Sequence, residues 1–571
     1  MSRSKLPISK ARPPVIVRFT SDLRDLIERL RSELKSVFHD FRTGRCGKAV
    51  QKITLKLFRR WLEIQLLPGV EDTAQFLTHL VRKYKDVAVA TNEAIRGLEP
   101  LRIEDEKVRQ VIRDLFVVKR KGGAVKSKAY QFTWKIYDRY VGLFCIQSAH
   151  IIVGRLLMYY VGVDKGAWKP ITFKVPIRRH LDFYWTVRKQ FSELLPAIYH
   201  LNELDWIYIP DTVRQALSRQ EVQVLNDIED RLDRLIANVI YILSGYNYSN
   251  VDTDVWKMVY QRFLPKDEIR RLGFVPTPDE IVSLILDLVG YKEDVEGLCE
   301  KTILDPAYGS GTFLVEALTR LLDHLKRDMP CHRRRPREPG WAWKKRLLEK
   351  ILNSIYGIDI HPFATFLTLL NLMFHIIDYY AHVRRHYPDF PLKFNIVTYD
   401  ALAEKPQIFR LKPTANAREK EAIERMKIYA RICDTQFDFV VGNPPWGTVL
   451  KGKLGPLGDD ELRRRYAEQF KGTATGKYDI FVLFIHKGLD WLKPGGRLGM
   501  ITQIMYVDKN YGRGIRAKIR RDANVLFFID LQEFGDIIFP GFTNYPAITI
   551  LERRKKGIKQ GKVRVVRVRR A

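Results

Sequence analysis

The stretch QFDFVVGNPPWGTVL, residues 436–450, runs an apolar segment straight into an asparagine, two prolines and a tryptophan. Phe437 to Val441 read as a strand buried on both faces. That puts Asn443 just past its carboxyl end, the edge at which open α/β sheets hold their ligands. Pro444 and Pro445 fix φ and carry no N–H. What remains is a stiff hook that presents acceptors, the Asn443 side-chain oxygen and the proline carbonyls, beside the indole face of Trp446. A hook of this kind suits a flat group bearing an N–H₂.

Four further stretches supply groups for the same edge. ILDPAYGSGTFLVEAL, residues 303–318, reads as strand, glycine turn and helix. Gly309 and Gly311 there permit the close backbone approach that a nucleoside cofactor needs. An acidic residue is expected at the end of the next strand to hold ribose hydroxyls, and Asp359 in YGIDIHP stands in that place. The usual separation is about 20 residues. Here a basic insertion stretches it, so the assignment rests on strand order. Asp400 closes FNIVTYD at the same edge. Upstream, LGFVPTPDEIVSLIL places Thr277 as a helix N-cap, with Pro278 at the first helical position and Glu280 at the third. Thr277, Asp305, Asp359, Asp400 and Asn443 therefore converge on one edge of one predicted sheet.

Short apolar runs alternate with helical stretches after residue 265: TILD at 302, IYGIDI at 355, FNIVTYD at 394, FDFVVGN at 437, GRLGMITQ at 496 and VLFFIDL at 525. This is the grammar of a doubly wound α/β sheet. YPAITILE at 545 follows too closely for a crossover helix and is expected to be an antiparallel last strand. Two basic insertions, residues 324–346 and 404–432, read as surface excursions. Before residue 250 the period is helical. In SRQEVQVLNDIEDRLDRLIANVIYILSGY, Leu225, Ile228, Leu232, Leu235, Val239 and Leu243 form one stripe behind a Ser218–Glu221 capping box. Residues 21–38 repeat the pattern with Leu23, Leu26, Leu30, Leu34 and Val37. The expected division is an α-helical domain over 1–250, an α/β domain over 251–552 and a basic tail over 553–571.

Across its 571 residues the chain carries 98 Lys and Arg against 66 Asp and Glu, a formal net charge of +32. Solubility does not need that excess, and it favours a polyanionic partner, nucleic acid first. Cys46, Cys145, Cys299, Cys331 and Cys433 are scattered without a C-x-x-C pair, so no zinc site, no other metal site and no disulfide framework is indicated. A reducing cytoplasm fits. The start, MSRSKLPISKARPPVIV, lacks the pattern of a signal peptide. VGLFCIQSAHIIVGRLLMYYVGV, residues 141–163, is apolar but holds Gln147, His150 and Arg155 near its middle, which makes it a core helix and not a membrane span.

With these blocks in place the chain resembles the amino-type, N6-adenine DNA methyltransferases of the gamma order, above all the methylase part of type IIG restriction-modification enzymes. NPPW matches that family's catalytic Asn-Pro-Pro-aromatic motif, and DPAYGSG its cofactor loop. LGFVPTP resembles its Gly-x-Phe-x-Thr-Pro segment, although the family more often has an aromatic where Val275 or Pro276 stands. GKYDIFVLFIHKGLDWLKPGGRLGMIT, residues 476–502, is similar to its later helix and strand. The likeness covers residues 255–552 strongly and extends weakly into the helices before them.

The resemblance implies a Rossmann-like class I methyltransferase domain preceded by helices, with S-adenosylmethionine as cofactor and DNA as partner. The catalytic group would be Asn443, Pro444, Pro445 and Trp446. Cofactor contacts would come from Phe274, Thr277, Asp305, Ala307, Gly309, Gly311, Asp359, Asp400 and Phe481. Among these, Asp305 and Gly309 fall at the methionine part, Asp359 at the ribose, and Asp400 with Phe274 at the adenine end. A later aromatic is also expected of the family; Phe539 and Tyr545 are candidates, each better read as core packing. The same hook serves RNA adenine methyltransferases and enzymes that methylate a glutamine amide. The large helical region and the charge favour nucleic acid, and the similarity to the family's helical linker favours DNA over RNA. For a nuclease there is only IEDEKVR near Asp105 and Lys107, a charged helical context, so no endonuclease is expected. Sequence reading is then expected from a separate specificity subunit, the N-terminal helices or the insertions, with a nuclease as a separate partner.

Overall fold

The computed structural model describes residues 5–8, 13–42, 44–51, 127–173, 179–194, 209, 211–251, 256, 259, 275–327, 333–406, 417–446, 460–476, 478–539, 545–555 and 563–569. Phe274 and the Asp105–Lys107 stretch lie outside these residues.

Strands are numbered along the main sheet: β1 Ile303–Asp305, β2 Ile355–Asp359, β3 Asn395–Thr398, β4 Phe437–Gly442, β5 Leu492–Gln503, β6 Ala523–Asp530, β7 Pro546–Arg553 and β8 Arg564–Arg567. Their spatial order is β8-β6-β7-β5-β4-β1-β2-β3. All neighbours run parallel except β7, which is antiparallel to both β5 and β6. β7 slots antiparallel between β5 and β6 in an otherwise parallel sheet, so the doubly wound expectation holds. It is not the last strand, however. The basic tail contributes β8, paired parallel to β6 with Arg567 opposite Asp530. Alternation of exposed Arg and Val hid it, since an edge strand has no buried face to leave a pattern.

Helices cover both faces. On one lie α5 Asp279–Val289, α6 Thr312–Lys326, α7 Gly340–Ser354 and α8 Pro362–Arg384, whose buried side chains join one apolar cluster. On the other lie α9 Ala417–Asp434, α11 Phe481–Trp491 and α12 Arg513–Asp522, with α10 Asp460–Gln469 beside them. The second expected excursion is therefore partly a fold element, while the first is exposed over residues 333–337 and ends in the opening turns of α7. Ile428, Tyr429 and Ile432 of α9 are buried against the sheet, and Leu347, Leu348 and Ile351 of α7 are buried as well. Composition averaged over residues 404–432 concealed the apolar stripe of α9.

The helical region before the sheet contains α1 Pro13–Arg42, α2 Ser127–Lys165, α3 His180–Leu194 and α4 Arg219–Ser244. Leu23, Leu26, Leu30, Leu34 and Val37 are buried as their spacing requires. In α4 the capping box forms, with Glu221 N donating to Ser218 Oγ and Ser218 N donating to Glu221. The stripe is offset by one position where Ile236, not Leu235, is the buried residue. The apolar segment 141–163 lies within α2, and its most apolar window is 89% buried. It crosses α8 so closely that a Cβ on Gly154 would sit 2.9 Å from Leu370 and 3.0 Å from Phe366. One apolar cluster runs from α1 and α2 through α8 to the sheet.

Gly311 joins the β1 turn to α6. Its φ is +83°, and a Cβ there would lie 2.6 Å from Thr368 Oγ1. Thr368 is fully buried on α8 and cannot withdraw. Left-handed backbone and overpacking both oppose a side chain, so Gly311→Ala should destabilise the protein by about 2–4 kcal/mol. A shifted denaturation midpoint with an unchanged slope checks this, and an unchanged midpoint contradicts it.

Candidate active site

The parallel strands β1 to β4 all end at one edge, and their ends carry the convergent residues. Asp305 closes β1, Asp359 closes β2, Asp400 follows β3 by two residues and Asn443 follows β4 directly. Register places Asp305 opposite Gly357 and Asp359 opposite Thr398. A Cβ on Gly442, the residue before the hook, would lie 2.7 Å from Asp305 Oδ1, so the glycine loop and the hook are in direct apposition.

Asp305 is 1% exposed. Its Oδ1 accepts from Ala307 N at 3.0 Å. Its Oδ2 is buried with no partner among the described residues. Burial pushes this carboxyl well above the usual range, and the nearby Asp359 adds to the effect. A buried carboxylate oxygen without a donor calls for a cationic or N–H group from a ligand. Asp359 fastens the loop from the other side: Oδ2 accepts from Gly309 N and Oδ1 from His361 N, each at 2.8 Å. Burial raises its carboxyl to about 6 against the lowering effect of those amides. At Gly309, with φ +53°, a Cβ would meet nothing within 4 Å, which leaves that face of the loop open.

Asp400 accepts from Leu402 N at 2.8 Å and from the Tyr466 hydroxyl at 2.6 Å. Burial raises its carboxyl above the ordinary range. Tyr466 lies on α10, beyond the hook, and no spacing rule pointed to it. Tyr308, inside the loop, was also missed; it is buried and reaches Thr365 at 2.7 Å, which in turn meets Thr398 at 2.6 Å. Those contacts fix the floor of the loop against α8 and β3. Phe481 begins α11, is fully buried and meets Tyr506 edge to face at 5.9 Å.

At the hook Asn443 is half-buried, Pro444 buried, Pro445 exposed and Trp446 half-buried. Trp446 packs edge-on against Phe539, ring centres 4.8 Å apart. Phe539 is 2% exposed and thus has the core role expected of it, whereas Tyr545 is 43% exposed and does not. Thr277 departs from its expected place too. The cap residue of α5 is Pro278, with no side-chain cap bond. The Thr277 hydroxyl instead accepts from Asn443 Nδ2 at 3.1 Å. Competition for one hydroxyl between a helix amide and a side-chain amide 166 residues away cannot be read from local spacing.

With this geometry established, the family comparison is informative. Residues 353–537, which hold Asp359, Asp400 and the hook, match the Eco57I restriction-modification methylase family. Curated relatives include the type II methyltransferase M.XhoI of Xanthomonas vasicola, 28% identical over 51% of this chain and 44% of that protein. Another is the type II restriction enzyme and methyltransferase RM.Eco57I of Escherichia coli, 25% identical over 58% of this chain and 34% of that protein. The chain thus spans less than half the length of these two relatives. Among solved structures, the DrdV–DNA complex aligns with 96% of this chain and 43% of its own, at 15% identity and a TM-score of 0.48. The likeness to that family thus runs from just before β2 to just past β6.

Proposed function

We propose that this protein transfers the methyl group of S-adenosylmethionine to the N6 amino group of adenine in DNA, as the modification activity of a restriction-modification or phage-defence system. One observation carries the reading. The Asn443 amide is held by its nitrogen, so its oxygen is the end left for a substrate N–H₂, at the edge where the glycine loop and two strand-end carboxylates meet.

The residues at that edge fit the cofactor. The unpartnered Asp305 Oδ2 would take the ammonium of its methionine part, the open face at Gly309 would admit its backbone-hugging chain, and Asp359 would take the ribose hydroxyls. Asp400 and Phe481 stand where the adenine end would lie. When bound, the cofactor supplies an electrophilic methyl. An exocyclic amino nitrogen is a weak nucleophile because its lone pair is conjugated with the ring. Asn443 Oδ1 and the Pro444 carbonyl, aimed at its two hydrogens, favour a pyramidal nitrogen and stabilise the positive charge that develops there. Neither acceptor needs to change protonation state: as the new N–C bond formed the methyl's S–C bond would break, the thioether S-adenosylhomocysteine would leave, and the surplus proton on nitrogen would pass to water. A base inside a duplex must be flipped out to reach the hook, and Trp446, braced by Phe539, offers a face to stack on it.

The net charge of +32 supports a nucleic acid over a peptide substrate. Cytoplasmic action accords with that reading. A separate specificity subunit or nuclease is part of it as well. The test is transfer of label from S-adenosylmethionine to duplex DNA, RNA and a peptide pool offered in parallel. Label in DNA is expected; label in RNA or peptide alone would keep the hook chemistry and overturn the substrate.

Asp359 also gives the cofactor site a pH signature. Burial pushes its folded-state carboxyl up to about 6, from the usual 3.8 of an aspartate. The folded protein holds a proton in that window that the unfolded chain does not, so this group's contribution to stability grows as pH falls from above 6 towards 3.8. Hydroxyl binding wants the ionised form, so S-adenosylmethionine affinity should fall about tenfold per pH unit below 6. Opposite trends in affinity and stability are expected across this window, and a flat binding profile in Asp359→Asn would assign them to this residue.

A further inference from the structure

The chemistry assigned to Asn443 concerns the substrate, yet its amide must first choose an orientation. The two ends of a primary amide are nearly isosteric, and rotation by about 180° exchanges acceptor for donor with little change in packing. Only one orientation is productive if the substrate is an amino group: oxygen outward, nitrogen inward. With nitrogen outward, two N–H₂ groups would face each other. The two prolines that follow stiffen the backbone but exert no control over this side-chain torsion. Something must therefore hold the amide nitrogen.

We propose that Thr277 is a positioning residue for the methyl-transfer reaction, whose hydroxyl pairs with Asn443 Nδ2 and holds that side chain in place beside the substrate, nitrogen inward. The inference rests on the amino-methyltransferase reading and adds to it a role for a residue otherwise assigned to the cofactor. Three features carry it. The contact is 3.1 Å long, between a hydroxyl and the amide end that the chemistry does not use. Thr277 is 6% exposed, so water competes poorly for its hydroxyl. Pro278 takes the cap position of α5, and among the described residues the Thr277 hydroxyl has no hydrogen bond to that helix.

The anchor for that hydroxyl is rigid. Thr277 lies between Pro276 and Pro278, which restrict its backbone to extended conformations. It lies two residues before α5, whose Val282, Ile285, Leu286 and Val289 are fully buried. Arg320 of α6 ties down the same helix through Ser283 Oγ at 2.7 Å, Asp287 at 2.8 Å and the Tyr291 carbonyl at 2.9 Å. Arg497 of β5 donates to the Val289 carbonyl at 3.2 Å. Precision at Thr277 is thereby derived from a buried helix rather than from the hook's own loop, which is what a positioning contact needs.

Thr277→Val keeps the shape and removes the acceptor; Thr277→Ser keeps the acceptor and removes a methyl. In steady-state methylation of duplex DNA the valine variant should lose about 10- to 100-fold in kcat, with cofactor Kd and the KM for DNA changed less than about threefold. The serine variant should recover most of the wild-type kcat. Thermal denaturation of both variants separates this from folding, since a kcat loss caused by unfolding would come with a lowered melting temperature. Loss of cofactor binding in Thr277→Val with normal kcat at saturation would make Thr277 a cofactor contact and overturn the proposal, as would valine and wild type turning over equally. A wild-type protein that methylates no amino group at all would instead overturn the reading on which the proposal rests.

Discussion

Asn443→Ala is expected to abolish most turnover, by about 1,000-fold in kcat, while S-adenosylmethionine binds as before. The reasoning is positional. Asn443 lies beyond the end of β4 and its only described hydrogen bond is to Thr277, so its removal leaves the loop contacts of Asp305 and Asp359 in place. What disappears is the acceptor that would meet the substrate amino group in the transition state, and an interaction made there lowers kcat without altering cofactor affinity. Calorimetric titration of the cofactor beside single-turnover methylation checks both halves. Equal loss of binding and turnover would mean that the hook belongs to the cofactor site and not to the chemistry.

Asp359→Ala should do the reverse. Its carboxylate fixes Gly309 N and His361 N, and in the proposed complex it also receives the ribose hydroxyls. Hydrogen bonds to a charged group contribute about 1.5–3 kcal/mol each, so losing two ribose contacts should weaken the cofactor about 100-fold or more. At saturating S-adenosylmethionine the Ala variant should recover a substantial part of kcat, because the acceptors at the hook are untouched. A Kd within a few-fold of wild type would contradict the assignment of the ribose to β2. Taken together the two substitutions separate binding from chemistry at one sheet edge.

The placement of these residues was legible because strand ends are legible. Apolar runs with buried character fix β1, β2, β3 and β4, and parallel pairing then brings every following residue to one edge whatever the length between them. Asp359 and Asp305 are neighbours at that edge despite the insertion that separates them in sequence. Partner choice was not legible. Local spacing makes Thr277 a cap, and only the fold reveals that Asn443 takes its hydroxyl. Tyr466 reaches Asp400 from a helix beyond the hook, and β8 pairs through exposed backbone without a buried face. Each of these depends on a contact across the fold, to which periodicity is blind. The basic segment over residues 404–432 misled for a different reason: net charge averages over a helix, whereas burial acts on one stripe of it.

The central claim is that Asn443 activates an adenine amino group in DNA. Its most direct test is nucleoside mass spectrometry of duplex DNA incubated with S-adenosylmethionine and either the wild-type protein or Asn443→Ala. The account predicts N6-methyladenine with the wild type and none above background with the variant. Methylation of another base, or N6-methyladenine at equal levels with both proteins, would contradict it.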